Sequence, residues 1–225
     1  MPIAFFDLDR TIIARNSASL WLKGELREGF ISPFQALIAG TWLLKYHMGF
    51  AKLDDALRKA VSSLEGRSEA DMRNRSREFF DRELRGLIRP GAEIALRHHR
   101  NQGDSLVLLT STSVYIAEAA SEMLDLDAHI ATRFEVGDDG RYTGAVQEPL
   151  CFGMGKVHLA IEYAKRRGVS LGDCVFYTDS NSDLPMLEVV GHPVAVNPDP
   201  RLRSTARARG WEVVDWGQPP ETTQV

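Results

Sequence analysis

The sequence predicts an α/β fold, a doubly wound parallel sheet (a Rossmann-like core) with an inserted helical cap domain. Three observations lead there. Short apolar runs such as "IAFF" (Ile3 to Phe6), "SLVLL" (Ser105 to Leu109) and "CVFY" (Cys174 to Tyr177) suit strands covered on both faces. Beyond Arg89 such runs alternate with helical stretches, as in a parallel sheet wrapped by helices. Between the first run and that alternation, residues 15–87 read as helical, too long for one crossover helix. The predicted division is a core of residues 1–14 and 88–216, a helical cap of 15–87, and a disordered tail of 217–225.

Each element has its own signal. "IAFF" is the first strand. In the cap, "SASLWLKGELREGF" and "FQALIAGTWLLKYHMG" carry apolar residues at three-to-four spacing. "KLDDALRKAVSSLEG" puts Leu53, Ala56, Leu57, Ala60, Val61 and Leu64 on one stripe. Ser68 to Asp71 resembles a capping box, opening a helix with a Met72, Phe79, Leu84 and Leu87 face. "RPGA" (Arg89 to Ala92) is a break, and a short helix from Glu93 to Asn101 follows, closed by Gly103. Asp104 to Thr110 is a strand and Val114 to Leu124 a helix. "RFEVGDDGRYTGAV" is a hairpin turning at Asp139-Gly140. A helix from Gly155 to Arg167, a strand from Asp173 to Thr178 and a helix from Leu184 to Val190 come next. "PVAVN" and "WEVVDW" are the last strands, with "RLRSTARARG" a solvated basic helix between them.

Composition narrows the partners. A net charge of −4 gives no electrostatic reason to expect nucleic acid. Cys151 and Cys174 show no CxxC spacing, so they read as small core thiols in a reducing cytoplasm and not as zinc ligands. No basic-then-apolar leader opens the chain, and a cytoplasmic location is expected. The greasiest stretch, Pro33 to Phe50, breaks at Lys45 and is short for a span of ~20 apolar residues. Trp21, Phe30, Phe34, Trp42, Tyr46 and Phe50 read most simply as the core of a helical bundle. Lining an apolar pocket or touching a membrane surface is their second reading. His98-His99 reads as exposed, and Trp211 and Trp216 as edge-strand packing.

Three polar features sit just past apolar runs: Asp7 and Asp9, then Thr110, Ser111 and Thr112, then Asp179 and Asp183. Alone, each has a plain explanation as a turn acid or a helix cap. Together they would meet at the carboxyl edge of a parallel sheet, where open α/β folds bind ligands. Four carboxylates crowded there repel unless a cation joins them, and hard oxygen donors point to Mg²⁺. Lys156, at a helix start, can serve as a fixed positive charge near phosphate.

The order "DLDRT", a strand ending in Ser or Thr, a lysine, then "DSNSD" resembles the haloacid dehalogenase-like hydrolases, most of all the phosphoserine-phosphatase-like branch. That resemblance implies a Mg²⁺-dependent phosphatase acting on a small phosphorylated metabolite, with Asp7 as nucleophile forming an aspartyl-phosphate. Asp9 would be the acid and base, and its presence favours phosphoester chemistry over dehalogenation. Thr11 would pin the loop. Thr110, Ser111 and Lys156 would hold phosphate, with Lys156 also catalytic. Asp7, Asp9 (through its carbonyl), Asp179 and Asp183 form the metal set, with Asp183 acting through water or Lys156.

The resemblance also bears on substrate. Phosphoserine-specific relatives carry a Glu where this chain has Asn16, and a cap Arg that aligns with Ala60. Arg58 lies nearby on the same helix, so Asn16 and Arg58 are the substrate candidates. The alternatives are phosphoserine or histidinol phosphate as substrate, a lipid phosphate at a membrane surface, or a non-enzymatic binder of a phosphorylated ligand. Arg10 has no role in this reading.

Overall fold

The structure, a computed structural model, describes residues 1–32, 37, 41 and 53–219. Its strands are β1 (Ile3–Phe6), β2 (Ser105–Ser113), β3 (Ala128–Thr132), β4 (Phe134–Val136), β5 (Tyr142–Val146), β6 (Val175–Thr178), β7 (His192–Val196) and β8 (Glu212–Val214). Its α-helices are α1 (Ser17–Arg27), α2 (Leu53–Ser62), α3 (Glu69–Phe79), α4 (Pro90–Gln102), α5 (Val114–Leu124), α6 (Met154–Arg166), α7 (Leu184–Leu187) and α8 (Pro200–Arg209).

The main sheet runs β3-β2-β1-β6-β7-β8, with every adjacent pair parallel. The chain works outward from β1 on one side, then crosses back to β6 and works outward on the other. The switch point therefore lies between β1 and β6. Alternate residues of β1 serve opposite faces. Ala4 and Phe6 join the core shared with α4 and α5, while Ile3 and Phe5 join the core shared with α6, α7 and α8. Burial on both faces is why "IAFF" is apolar without alternation.

Residues 14 to 87 leave and rejoin the sheet domain side by side. Ala14 N–H donates to the Leu87 carbonyl (2.8 Å) and Arg89 N–H to the Ile12 carbonyl (2.9 Å), around an antiparallel bridge of Ile13 with Ile88. Ser68 caps α3, accepting from the Asp71 N–H at 3.3 Å. Beyond α3 the chain winds into a π-helical turn (Phe80–Leu84) and a 3-10 turn (Arg85–Leu87), burying Phe79, Phe80 and Leu84.

Several expectations need correction. β3 is absent from the sequence reading because "AHIAT" holds no apolar run; parallel pairing with β2 makes it a strand. α4 begins at Pro90, three residues early, since proline suits a first helical turn. α7 is only Leu184–Leu187, preceded by a 3-10 turn, Asn181–Asp183. His99 is buried, with Nδ1 2.7 Å from Asp104 Oδ2 and Nε2 2.8 Å from the Tyr177 hydroxyl. Trp216 lies past β8 and packs into the core against Phe6 and Tyr177.

Of the cap aromatics, Trp21 meets Phe79 edge-on at 5.0 Å, and Phe30 is half exposed with the Arg75 guanidinium 3.9 Å above its ring. Phe34, Trp42, Tyr46 and Phe50, on which the membrane reading mostly rests, lie outside the described residues. So do residues 220–225 of the tail. Among the described residues, no helix is long and apolar enough to cross a membrane.

Candidate active site

Phe6 pairs with Leu108 of β2 and with Tyr177 of β6. The residues just beyond these partners therefore emerge together at the switch point. Asp7 keeps one more bond to the sheet, its N–H donating to the Tyr177 carbonyl at 2.9 Å. Leu8 then turns into the core, fully buried, so Asp7 and Asp9 flank it on the other side.

Lys156 sits in the first turn of α6, 1% exposed. Its Nζ donates to Asp7 Oδ1 and to Asp183 Oδ2, both at 2.8 Å. Gly155 brings the lysine in: a Cβ there would stand 1.8 Å from the Leu150 carbonyl oxygen, so only glycine fits. The Thr178 hydroxyl donates to Asp183 Oδ2 at 2.7 Å. Asp183 thus stands behind the lysine and fixes it, which is the second of the two routes, water or Lys156, expected for it in the metal set.

Asp179 stands close enough to Asp7 and Asp183 for their charges to repel. Its N–H donates to Thr11 Oγ1 at 3.0 Å, which ties the two loops together as expected for Thr11. The Asp179 carboxylate has the Thr11 hydroxyl at 3.5 Å. Among the described residues no lysine or arginine pairs with Asp179 or Asp9. The electrostatics follow. Burial first, opposed by Lys156, pushes the Asp7 carboxyl up to about 7. Burial, then repulsion from Asp7 and Asp183, holds Asp179 well above the ordinary carboxylate range. Burial alone would push Lys156 down, but Asp183 and Asp7 outweigh it and keep the ammonium charged.

Asp9 is anchored elsewhere. Ser17 N–H donates to its Oδ1 at 2.8 Å, and the Ser17 hydroxyl and Asn16 Nδ2 reach its Oδ2 at 3.1 and 3.3 Å. Asn16 also caps α1, its Oδ1 accepting from the Ser19 N–H (2.9 Å) and hydroxyl (3.0 Å). Its Oδ1 is therefore filled by the fold, and one of its two amide hydrogens goes to Asp9. Arg58 pairs with Glu148 on the surface, and Ala60 is exposed. Thr110 is buried, and its Oγ1 accepts from the Thr112 N–H at 3.3 Å, with no acceptor for its own hydrogen among the described residues. Ser111 contributes its carbonyl to the Thr132 hydroxyl at 3.0 Å.

Arg10 follows Asp9 with φ of 59°, in the left-handed region that a non-glycine residue rarely adopts. Its carbonyl accepts from Arg89 Nε at 3.3 Å, and the buried Arg89 side chain also holds the Gly217 carbonyl. Sequence reasoning assigned no role to Ser17, Thr178 or Arg89. An Asn-Ser pair at a helix start was the one signal that could have pointed to Ser17.

A metal could be held here. Among the described residues no three acidic, histidine or cysteine side chains form a ready-made cage. Mg²⁺ does not need one, since it is commonly held by one or two carboxylates plus water and substrate phosphate. Asp7 and Asp179 repel each other, and among the described residues Lys156 is the one ion-paired cation against Asp7, Asp9, Asp179 and Asp183. That imbalance fits a divalent ion.

Several known proteins resemble this chain. A model of the haloacid dehalogenase-like hydrolase family matches residues 4–188. A phosphoserine phosphatase of Mycobacterium tuberculosis is 34% identical over 95% of this chain and 70% of its own length. A histidinol-phosphatase of Neisseria meningitidis is 29% identical over 95% of this chain and 98% of its own. A Bordetella pertussis protein of unknown function has a solved structure with a TM-score of 0.87 and 31% identity, covering 96% of this chain and 99% of that one.

Proposed function

The chain belongs to the haloacid dehalogenase-like hydrolases and is a phosphatase of that family; we propose that it hydrolyses the phosphomonoester of a small metabolite through an aspartyl-phosphate on Asp7, with residues 15–87 as its cap. The observation that carries this reading is the Asp7–Lys156–Asp183 chain at 2.8 Å spacing, buried at the sheet's switch point. Lys156 occupies Asp7 Oδ1, leaving Oδ2 for attack on phosphorus. The P–O bond to the leaving group breaks as Asp9 gives that oxygen a proton. Water then attacks phosphorus, the bond to Asp7 breaks, and Asp9 takes the water's proton. Lys156 and Thr110 would hold the phosphoryl oxygens throughout. Mg²⁺, held by Asp7, the Asp9 carbonyl and Asp179, would supply charge neutralisation for nucleophile and phosphate.

Two relatives bear names for phosphoserine and histidinol phosphate, which supports a small polar substrate. The committed state of Asn16 and the outward pairing of Arg58 argue against an amino-acid headgroup held as in phosphoserine-specific relatives. The test is a screen of phosphorylated metabolites with Mg²⁺, including phosphoserine, histidinol phosphate and lysophospholipids. Hydrolysis of small phosphates that EDTA abolishes is expected. Activity that survives chelation would remove the metal, and preference for lysophospholipids would replace the small-metabolite reading.

A further inference from the structure

We infer that Asn16 and Ser17, at the start of the first cap helix, form a clamp that positions Asp9 for proton transfer. The inference rests on the acid and base role proposed for Asp9. Ser17 is fully buried although it is a small polar residue at a helix start. Both its donors go to one carboxylate, the N–H to Oδ1 at 2.8 Å and the hydroxyl to Oδ2 at 3.1 Å. A serine hydroxyl has one hydrogen. Because Ser17 spends it on Asp9, the contact with Thr112 Oγ1 at 3.2 Å must have Thr112 as donor. The order is therefore Thr112 to Ser17 to Asp9. It joins the loop after β2, the first cap helix and the loop after β1. Asn16 Nδ2 adds a further donor to Oδ2.

This arrangement goes beyond capping. Asn16 already satisfies the helix end with its Oδ1. The free N–H of the first turn, which water could serve equally well, is instead aimed at Asp9. With bonds to both oxygens the carboxylate plane is fixed, and proton transfer depends steeply on such placement. Ser17 and Asn16 touch Asp9 and not the reacting phosphate, so they are positioning residues.

The readout is leaving-group dependence. The kcat/KM value reports phosphoryl transfer to Asp7, where an alkyl leaving group needs the proton from Asp9 and p-nitrophenolate does not. Ser17→Ala is assayed with Mg²⁺ on phosphomonoesters from p-nitrophenyl phosphate to a simple alkyl phosphate. Its kcat/KM should fall on the order of tenfold further for the alkyl ester than for p-nitrophenyl phosphate. On p-nitrophenyl phosphate, kcat and KM should fall together, because water activation slows. Asn16→Ala should show the same trend more weakly, and Ser17→Thr should restore the wild-type slope. In an Asp9→Asn background, Ser17→Ala should add little. Equal losses across the ester series, or a full additional loss in that background, would overturn the clamp. A wild-type protein inactive on every ester would instead refute the phosphatase reading and the clamp with it. If Ser17→Ala does not fold, Asn16→Ala carries the same comparison.

Discussion

The pocket at the sheet's switch point and the helical surface above it both depend on ion pairs, but they balance charge in opposite ways. In the pocket, one buried lysine serves Asp7 and Asp183, while Asp9 and Asp179 have no cationic partner among the described residues. On the cap, acids face arginines: Glu25 meets Arg75, Glu28 meets Arg82, and Glu83 meets Arg27. Arg73 and Arg77 of α3 reach Glu118 and Glu122 of α5 in the same way. Those pairs are partly or half exposed, whereas the Lys156 side chain is 1% exposed. Buried charge is costly, and an excess of one sign is costlier still. A fold that keeps such an excess is poised for a ligand that cancels it. The balanced surface needs none; its pairs within residues 15–87 join the cap helices to one another, and those from α3 to α5 join cap to core.

The contrast can be broken or sharpened by substitution. The largest effect belongs to Asp7→Asn, which should lower phosphatase turnover at least about 10⁴-fold in a steady-state assay. Retained turnover would remove Asp7 as nucleophile. Next is Lys156→Met, which strands two buried carboxylates. It should cost about 3–5 kcal/mol in urea denaturation of the metal-free protein. A cost below that of a surface pair would mean the pocket is wetter than its burial implies.

The pH dependence comes third. The Asp7 carboxyl stands at about 7 in the folded protein against an ordinary 3.8. Folded chains thus hold a proton that unfolded chains have released. Stability from this group is full below the unfolded value and is lost as pH rises through about 7. Between about pH 5 and about pH 8, the metal-free wild type should lose stability relative to Asp7→Asn by on the order of a few kcal/mol. Saturating Mg²⁺ should flatten that slope, and a slope indifferent to Mg²⁺ would sever the link between charge excess and cation. The smallest effect is Arg77→Ala, which opens a half-exposed pair with Glu122. It should shift stability by less than about 1 kcal/mol and leave turnover unchanged.

Much of this was legible along the chain. "IAFF", "SLVLL" and "CVFY" are strands because both sheet faces are covered, and the acids that follow the first and last of them converge, with Thr112 joined to Asp9 through Ser17. β3 was not legible, since Ala128, His129 and Thr132 carry no apolar run and pairing with β2 decides their state. His99 read as exposed because its neighbours on α4 are polar; Asp104 and Tyr177, from two other parts of the chain, supply its partners. Asn16 read as a substrate contact because it aligns with a Glu of phosphoserine-specific relatives, and became a cap and an Asp9 partner once α1 was in place.

The sequence by itself determined the layers, the parallel sheet and the set of groups at its edge. Those follow from burial and periodicity, which act on residues near one another in the chain. Only the tertiary structure decided how the groups divide: Asp183 behind Lys156, Asp9 on Ser17, Asp179 beside Asp7 with no cationic partner among the described residues. Lys156 lies 149 residues from Asp7, and no local propensity reaches that far. Which carboxylates Lys156 serves is set by a packed helix whose glycine admits it, and Asp9 and Asp179 take other partners.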